Sequence, residues 1–163
     1  MITKLKVRLD GDPCLRNISS PVDSVGPGER MLIRSMIATM YDQDGIGLAA
    51  PQVGINKRIL VADVGDGPIA VINPCIVTTE GSCVLEEGCL SVPETTVIIK
   101  RPQKIKIKYT DEENEVIENE FDDLTARVLL HEIDHLDGKL IVDYKDLEEN
   151  KEPHKKKAKD SPL

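Results

Sequence analysis

The stretch His131-Glu132-Ile133-Asp134-His135 lies in the longest apolar-periodic segment of the second half of the chain, and it constrains the fold more than any other stretch does. Histidines at i and i+4 of a helix project from one face, a turn apart, so both imidazoles can close on a single ion. The glutamate between them is less suited to be a third ligand than a base. Beside the ion it can take a proton from a water and later return it. The same pattern also occurs in ordinary amphipathic helices, so alone it leaves a purely structural helix open. Economy favours the metal reading, because the chain has three histidines and two stand here. Leu124, Val128, Leu129, Ile133 and Leu136 give the segment apolar surface on more than one side, which predicts a central, buried helix. Asp122 or Asp123 is placed to cap its start, and Gly138 to end it in the left-handed conformation.

The sequence before this helix is rich in strand signals. Ile59 to Val64 is a short apolar run, the turn Gly65-Asp66-Gly67-Pro68 follows, and Ile69 to Ile72 answers it; Asn73-Pro74 closes that predicted hairpin. Cys75 to Thr79 and Val97-Ile98-Ile99 read as further strands, with Pro93 and Pro102 at edges. From Gln103 to Tyr109 the pattern alternates strictly, with Ile105, Ile107 and Tyr109 on one face and Lys104, Lys106 and Lys108 on the other. Such a strand buries one face and wets the other, and its lysines discourage edge pairing. Asp111 to Asn114 turns the chain, and Glu115 to Phe121 returns. Earlier, Pro27 precedes a predicted helix from Glu29 to Gln43, with Leu32, Ile33, Met36, Ile37 and Met40 at helical spacing; its methionines are core fillers. Near the start, Gly11-Asp12-Pro13 signals a turn, and Cys14-Leu15-Arg16 one short helical turn.

At 163 residues the chain suits one well-buried domain. That domain is expected over residues 1–145, followed by a charged tail, 146–163, a short helix at most and then disordered. With 40% apolar but only 2% aromatic residues, the core must be aliphatic. A net charge of −8 argues against DNA or general nucleic-acid binding, which needs a basic footprint. No apolar run approaches the ~20 residues of a membrane helix, and the first residues interleave charges with apolar side chains; a soluble, cytoplasmic protein is expected. In that compartment the four cysteines, Cys14, Cys75, Cys83 and Cys89, are read singly, because no C-x-x-C pair exists. The default for the first three is a small buried apolar side chain.

A catalytic site of the zinc type takes three protein ligands and keeps one position open. The common completion H-E-x-x-H-x-x-G-x-x-H has its glycine at Gly138 but finds Ile141 where the third histidine belongs. A downstream glutamate could complete a metallopeptidase, and Glu148, Glu149 and Glu152 are the available ones. Upstream, Cys89 lies between Gly88 and Pro93, in what the sequence suggests is an ordered bend; a packed structural thiol stays open as its alternative. The small-residue stretch Gly45 to Gln52 lets something approach its backbone, or else is a tight, well-packed turn.

Taken together, Gly45-Ile46-Gly47-Leu48-Ala49-Ala50-Pro51-Gln52, Glu87-Gly88-Cys89-Leu90-Ser91 and His131 to Gly138 resemble, in order and spacing, the three signature motifs of peptide deformylases. Gly11-Asp12-Pro13 is similar to that family as well, so the resemblance spans residues 8 to 145. It implies an α+β fold with mixed, mostly antiparallel sheets around the helix that carries the two histidines. It implies hydrolysis of the formyl group from N-formylmethionine at the start of nascent peptides. Cys89, His131 and His135 then correspond to metal ligands, with iron(II) the native ion and zinc, nickel or cobalt able to replace it. Glu132 corresponds to the general base and acid, and Gln52 and the Leu90 amide to oxyanion donors. An extended substrate would lie along Ile46, Gly47 and Gly88, with Ile46, Leu85, Leu124 and Val128 as candidates for an apolar methionine pocket. Two departures stand out. Leu130 occupies a position where many relatives carry glutamine, and the C-terminal part is shorter than the long helix of some branches. The cluster Lys155-Lys156-Lys157 contrasts with the acidic body and suggests contact with ribosomal RNA, against the simpler reading of a solvated tail.

Overall fold

The computed structural model describes residues 2–145, Leu147 and the short strand Lys156–Lys157. Among them the order is α1 (Pro27–Asp42), β1 (Gly47–Ala49), β2 (Ile59–Ala62), β3 (Ile69–Glu80), β4 (Cys83–Cys89), β5 (Val92–Arg101), β6 (Lys104–Thr110), β7 (Val116–Asp122), α2 (Asp123–Leu136) and β8 (Lys156–Lys157). Five strands form one sheet in the order β1-β2-β3-β6-β7, antiparallel throughout. The second sheet has the order β5-β4-β8, with β4 and β5 antiparallel and β8 parallel to β4. This is the α+β arrangement expected. The other tail residues, with Glu148, Glu149, Glu152 and Lys155, lie outside the described residues.

The centre of the molecule follows from β2. All four of its side chains, Ile59, Leu60, Val61 and Ala62, are buried, because a helix covers each face. Successive strand residues point to opposite faces. Ile59 and Val61 accordingly join Leu48, Ile72 and the α1 residues Ile33, Met36 and Met40 in one apolar cluster. Leu60 and Ala62 join Ala49, Val71, Ile105, Ile107 and Tyr109 under Val128, Leu129, Ile133 and Leu136 of α2. A third cluster, Cys89, Val92, Val97, Ile99 and Ile141, lies under the β4–β5 hairpin.

The structure corrects three local expectations. Asn73-Pro74 does not close a hairpin. Instead β3 continues through it, with its register against β6 shifted between Ile72 and Cys75. Asn73 has a φ of 52°, and its side-chain amide exchanges two 2.8 Å hydrogen bonds with the backbone of Val22, so a side chain supplies what a strand partner would. Cys75, expected inside, is exposed on this outer half of β3, while Cys14 and Cys83 are half-buried. Asp122 does occupy the N-cap position of α2, but its side chain makes no capping bond. The neighbouring Asp123 is tied to Gln103 through its own amide at 2.8 Å.

The other end of α2 is closed as expected. Gly138, with φ 75°, donates to the His135 carbonyl, and Lys139 donates to that of Asp134, the paired bonds of a Schellman motif. A Cβ on Gly138 would fall 2.6 Å from the Arg16 carbonyl oxygen. Gly138→Ala is therefore expected to destabilise the fold by roughly 2 to 3 kcal/mol, combining left-handed strain with a backbone clash. Urea unfolding measures this, and a loss near zero would contradict the packing described.

Candidate metal centre and active site

Two elements bring the histidines and the cysteine together. On α2, His131 and His135 face the sheet side by side, with their Nε2 atoms 3.2 Å apart. Cys89, the last residue of β4, places its sulfur 3.4 Å from His135 Nε2. The three ligand atoms lie within 4.8 Å of one another and all three residues are buried. Thiolate and imidazole together suit a borderline to soft divalent transition ion, and Cys-His-His leaves one position of a tetrahedral site open. Ile141, where one group of zinc peptidases has its third histidine, is buried in the apolar cluster with Cys89.

Glu132 is fully buried, and neither carboxylate oxygen has a hydrogen-bond partner. Its nearest cationic candidate is His135 Nε2, 3.9 Å from Oε1. Burial pushes its carboxyl up to about 7, with the neighbouring His131 pulling the other way. A buried carboxylate without partners is costly unless something completes its surroundings, and a cation with a polarised water does so. Burial also disfavours charge on the imidazoles. The Glu132 carboxylate, Cys89 and Glu87 nevertheless hold His131 well above the ordinary histidine value, while burial and the positive neighbours His131 and Arg101 push His135 well below it. Ligation of a cation takes the neutral form of an imidazole.

Gln52 arrives from the short 3-10 turn Ala50–Val53 that follows β1. The Ala49 amide donates to its Oε1 at 2.9 Å, which turns the NH2 group toward Ser91 Oγ, 3.1 Å away, and Cys89 Sγ, 3.8 Å away. Leu90 and Ser91 form the two-residue turn between the paired residues Cys89 and Val92, so the Leu90 amide follows directly on the thiol. Ile46 and Leu124, half-buried, pack with Val128 on the apolar cluster beneath α2. Gly88 is half-buried next to the cysteine, and Leu85 is half-buried further back on β4. Leu130 is buried in the α2 cluster as an apolar residue.

The small-residue stretch turns out to be tightly packed on its side-chain face. A Cβ on Gly47 would strike the Glu132 carboxylate and come within 2.8 Å of Val128 Cγ1. Thus β1 lies directly on α2 at the level of Glu132. Its outer edge carries no strand among the described residues.

Behind the histidines lies a buried ionic network that none of the sequence expectations includes. Glu87 Oε1 lies 2.9 Å from His131 Nδ1. Arg101 donates to both oxygens of Glu87, at 2.6 and 2.9 Å, and to Asp134 at 3.0 Å. Arg127 also donates to Glu87 and reaches the backbone carbonyls of Ile99 and Cys83. Tyr144 donates to Asp134 at 2.7 Å. Burial alone would raise the Glu87 carboxyl, but Arg101 and His131 hold it well below the carboxylate range. Its charge thus fixes the Nδ1–H tautomer and leaves Nε2 as the donor atom for an ion. Two signals were legible: Glu87 shares a strand face with Cys89, and Arg127 lies four residues before His131 on the helix. Arg101, at the far end of β5, gave none.

Comparison with known proteins agrees with this geometry. Residues 4–151 match the sequence profile of polypeptide deformylases. The chain is 50% identical over 139 residues to the peptide deformylase of Thermotoga maritima, covering 85% of each. It is 47% identical over 137 residues to that of Clostridium botulinum, covering 84% of this chain and 93% of the relative. The crystal structure of the Thermotoga maritima enzyme superposes with a TM-score of 0.87 at 47% identity, over 89% of this chain and 99% of that one. A peptide deformylase from Synechococcus elongatus, solved in complex with actinonin, superposes with a TM-score of 0.85 at 38% identity, over 92% and 86% of the two chains. With its fold and most of its length in common with them, the chain belongs to the polypeptide deformylase family.

Proposed function

We propose that the chain performs its family's reaction, hydrolytic release of formate from the N-formylmethionine of nascent polypeptides, with Cys89, His131 and His135 holding one divalent ion. The observation that carries this reading is the buried Glu132 carboxylate, unpartnered beside three converging ligand atoms. Iron(II) is the ion we assign, with zinc, nickel or cobalt as substitutes; the mixed thiolate and imidazole donor set supports this class of metal. When bound, the ion supplies Lewis acidity that polarises the formyl carbonyl and acidifies a water.

The chain's own residues do the remainder. Glu132, buried beside the three ligand atoms, accepts the water's proton and returns it to the departing amine. Gln52, whose carbonyl oxygen is occupied by the Ala49 amide, directs its NH2 group at the developing oxyanion, and the Leu90 amide is the second donor. The peptide adds as an extended strand along Ile46 and Gly47 on one side and Gly88 on the other, where main-chain hydrogen bonds are indifferent to sequence. Methionine selectivity belongs to the half-buried apolar side chains of Ile46 and Leu124, whereas Val128 is fully buried and part of the core. No helix among the described residues is long and apolar enough to cross a membrane, and we assign the enzyme to the cytoplasm, where nascent chains emerge. A ribosomal contact through Lys155, Lys156 and Lys157 remains a separate proposal, since those side chains lie outside the described residues.

Formate release from formyl-Met-Ala-Ser, measured anaerobically with iron added, tests the reading. The expected outcome is turnover that Cys89→Ala abolishes together with bound metal. A Cys89→Ala protein that keeps its metal would instead favour a metallopeptidase with another third ligand.

A further inference from the structure

The proposed oxyanion donors sit on separate pieces of chain, Gln52 on the turn after β1 and Leu90 on the turn between β4 and β5. The N-terminal segment spans the two. The Arg8 amide donates to the Gln52 carbonyl at 2.6 Å, and the Asp10 amide donates to the Ser91 carbonyl at 2.8 Å. Amides two residues apart in an extended chain leave by the same edge, so one short segment can carry two such rungs.

The segment is heavily anchored on the Gln52 side. Arg8 lies against Gly54, where a Cβ would fall 2.8 Å from its Nη2, and its guanidinium pairs with Asp12 at 3.1 Å. Asp12 caps the Cys14 amide at 3.1 Å, the Cys14 thiol donates to the Pro51 carbonyl at 3.3 Å, and Asn56 donates to the Cys14 carbonyl at 2.8 Å. On the opposite side the Asp10 amide makes, among the described residues, the segment's one backbone hydrogen bond to the Leu90-Ser91 turn. That turn is further held by Gln52 Nε2 on Ser91 Oγ and by Leu90 packing over Gly45, where a Cβ would fall 2.9 Å from Leu90 Cδ1.

We infer that Arg8-Leu9-Asp10 is a backbone clamp that sets the spacing between Gln52 and the Leu90 amide, with Asp10 a positioning residue acting through its main-chain N–H. This rests on the roles proposed above for Gln52 and Leu90. A clamp of this kind acts on transition-state charge, so its loss lowers kcat and spares KM and metal content.

The test is Asp10→Pro, which deletes the amide hydrogen, compared with Asp10→Ala, which keeps it. Asp10→Pro is expected to show a kcat about tenfold below that of Asp10→Ala, well within the ~10²-fold that a misplacement of about 1 Å can cost. KM for formyl-Met-Ala-Ser and bound metal should be equal in the two. Combined with Ser91→Ala, the losses should be non-additive, because both changes release the same turn. Equal kcat values for the proline and alanine variants, or a proline loss that falls on KM or metal instead, would overturn the clamp. Should Asp10→Pro not fold, Leu9→Gly decides: it keeps both amides but loosens the span between them, and an unaltered kcat would refute the proposal. Gln52→Ala separates the two levels of argument. If it retains kcat, the oxyanion assignment fails; if it loses kcat while Asp10→Pro does not, only the clamp fails.

Discussion

Replacing Glu132 with glutamine is expected to lower kcat for formyl-Met-Ala-Ser by roughly 10²- to 10⁴-fold, the range over which a positioned proton-transfer group contributes. Metal content should stay at one ion per chain, because none of the three converging ligand atoms belongs to Glu132. The substitution should also leave the fold at least as stable, since it exchanges a fully buried carboxylate without hydrogen-bond partners for a neutral amide of the same shape. Activity lost, metal kept and thermal midpoint kept or raised is a combination that a merely structural glutamate would not produce. Substantial residual turnover with full metal occupancy would remove Glu132 from the proton path.

The second large effect is expected at Glu87. Its side chain is 0% exposed and receives hydrogen bonds from both Arg101 and Arg127 while holding His131. Glu87→Ala leaves two buried guanidinium groups short of their counter-charge, and breaking a buried pair by removing one partner costs about 3 to 5 kcal/mol. The same change frees the His131 ring, and loss of a partner behind a metal-binding histidine typically weakens metal affinity by about 10- to 100-fold. Urea unfolding and competition with a chromogenic chelator read the two consequences separately. Glu87→Gln, which keeps the shape and one accepting oxygen but turns an NH2 donor toward the donors that the other oxygen now accepts, should fall between wild type and alanine in both. If Glu87→Ala lost less than about 1 kcal/mol, the network could not be the support described here.

The elements that depend on periodicity were legible from sequence. The strict alternation from Lys104 to Tyr109 became β6, with Ile105, Ile107 and Tyr109 inside. The helical spacing after Pro27 became α1, and the apolar surface around His131 became the buried α2. Each is a case where burial of one repeating face decides the conformation. What stayed hidden depended on partners distant in sequence. The register shift at Asn73 exists because Val22 supplies its hydrogen bonds, and no local signal announces that. Exposure of Cys75 follows from β3 running past the end of β2, whose pairing stops at Ile72. In the candidate site, Cys89, Gln52 and the histidines, named from motif order, lie close together in the structure, but the arginines that neutralise Glu87 come from the end of β5 and the start of α2. Their meeting is a property of the sheet and helix packing. A charged residue such as Arg101 looks like surface until a buried counter-charge is found for it.

The missing side chain at Gly47 has a consequence for how this sequence can change over time. Because β1 rests on α2 with room only for hydrogen, the identities of residues 47, 128 and 132 are coupled: a methyl group gained at the first must be matched by volume lost at Val128 and by movement of the Glu132 carboxylate. In the role proposed for Glu132, movement of its carboxylate is the change the chemistry tolerates least. Position 47 is therefore closed to single-step substitution, whereas Leu124, only half-buried at the edge of the apolar cluster that holds Val128, is not confined in this way.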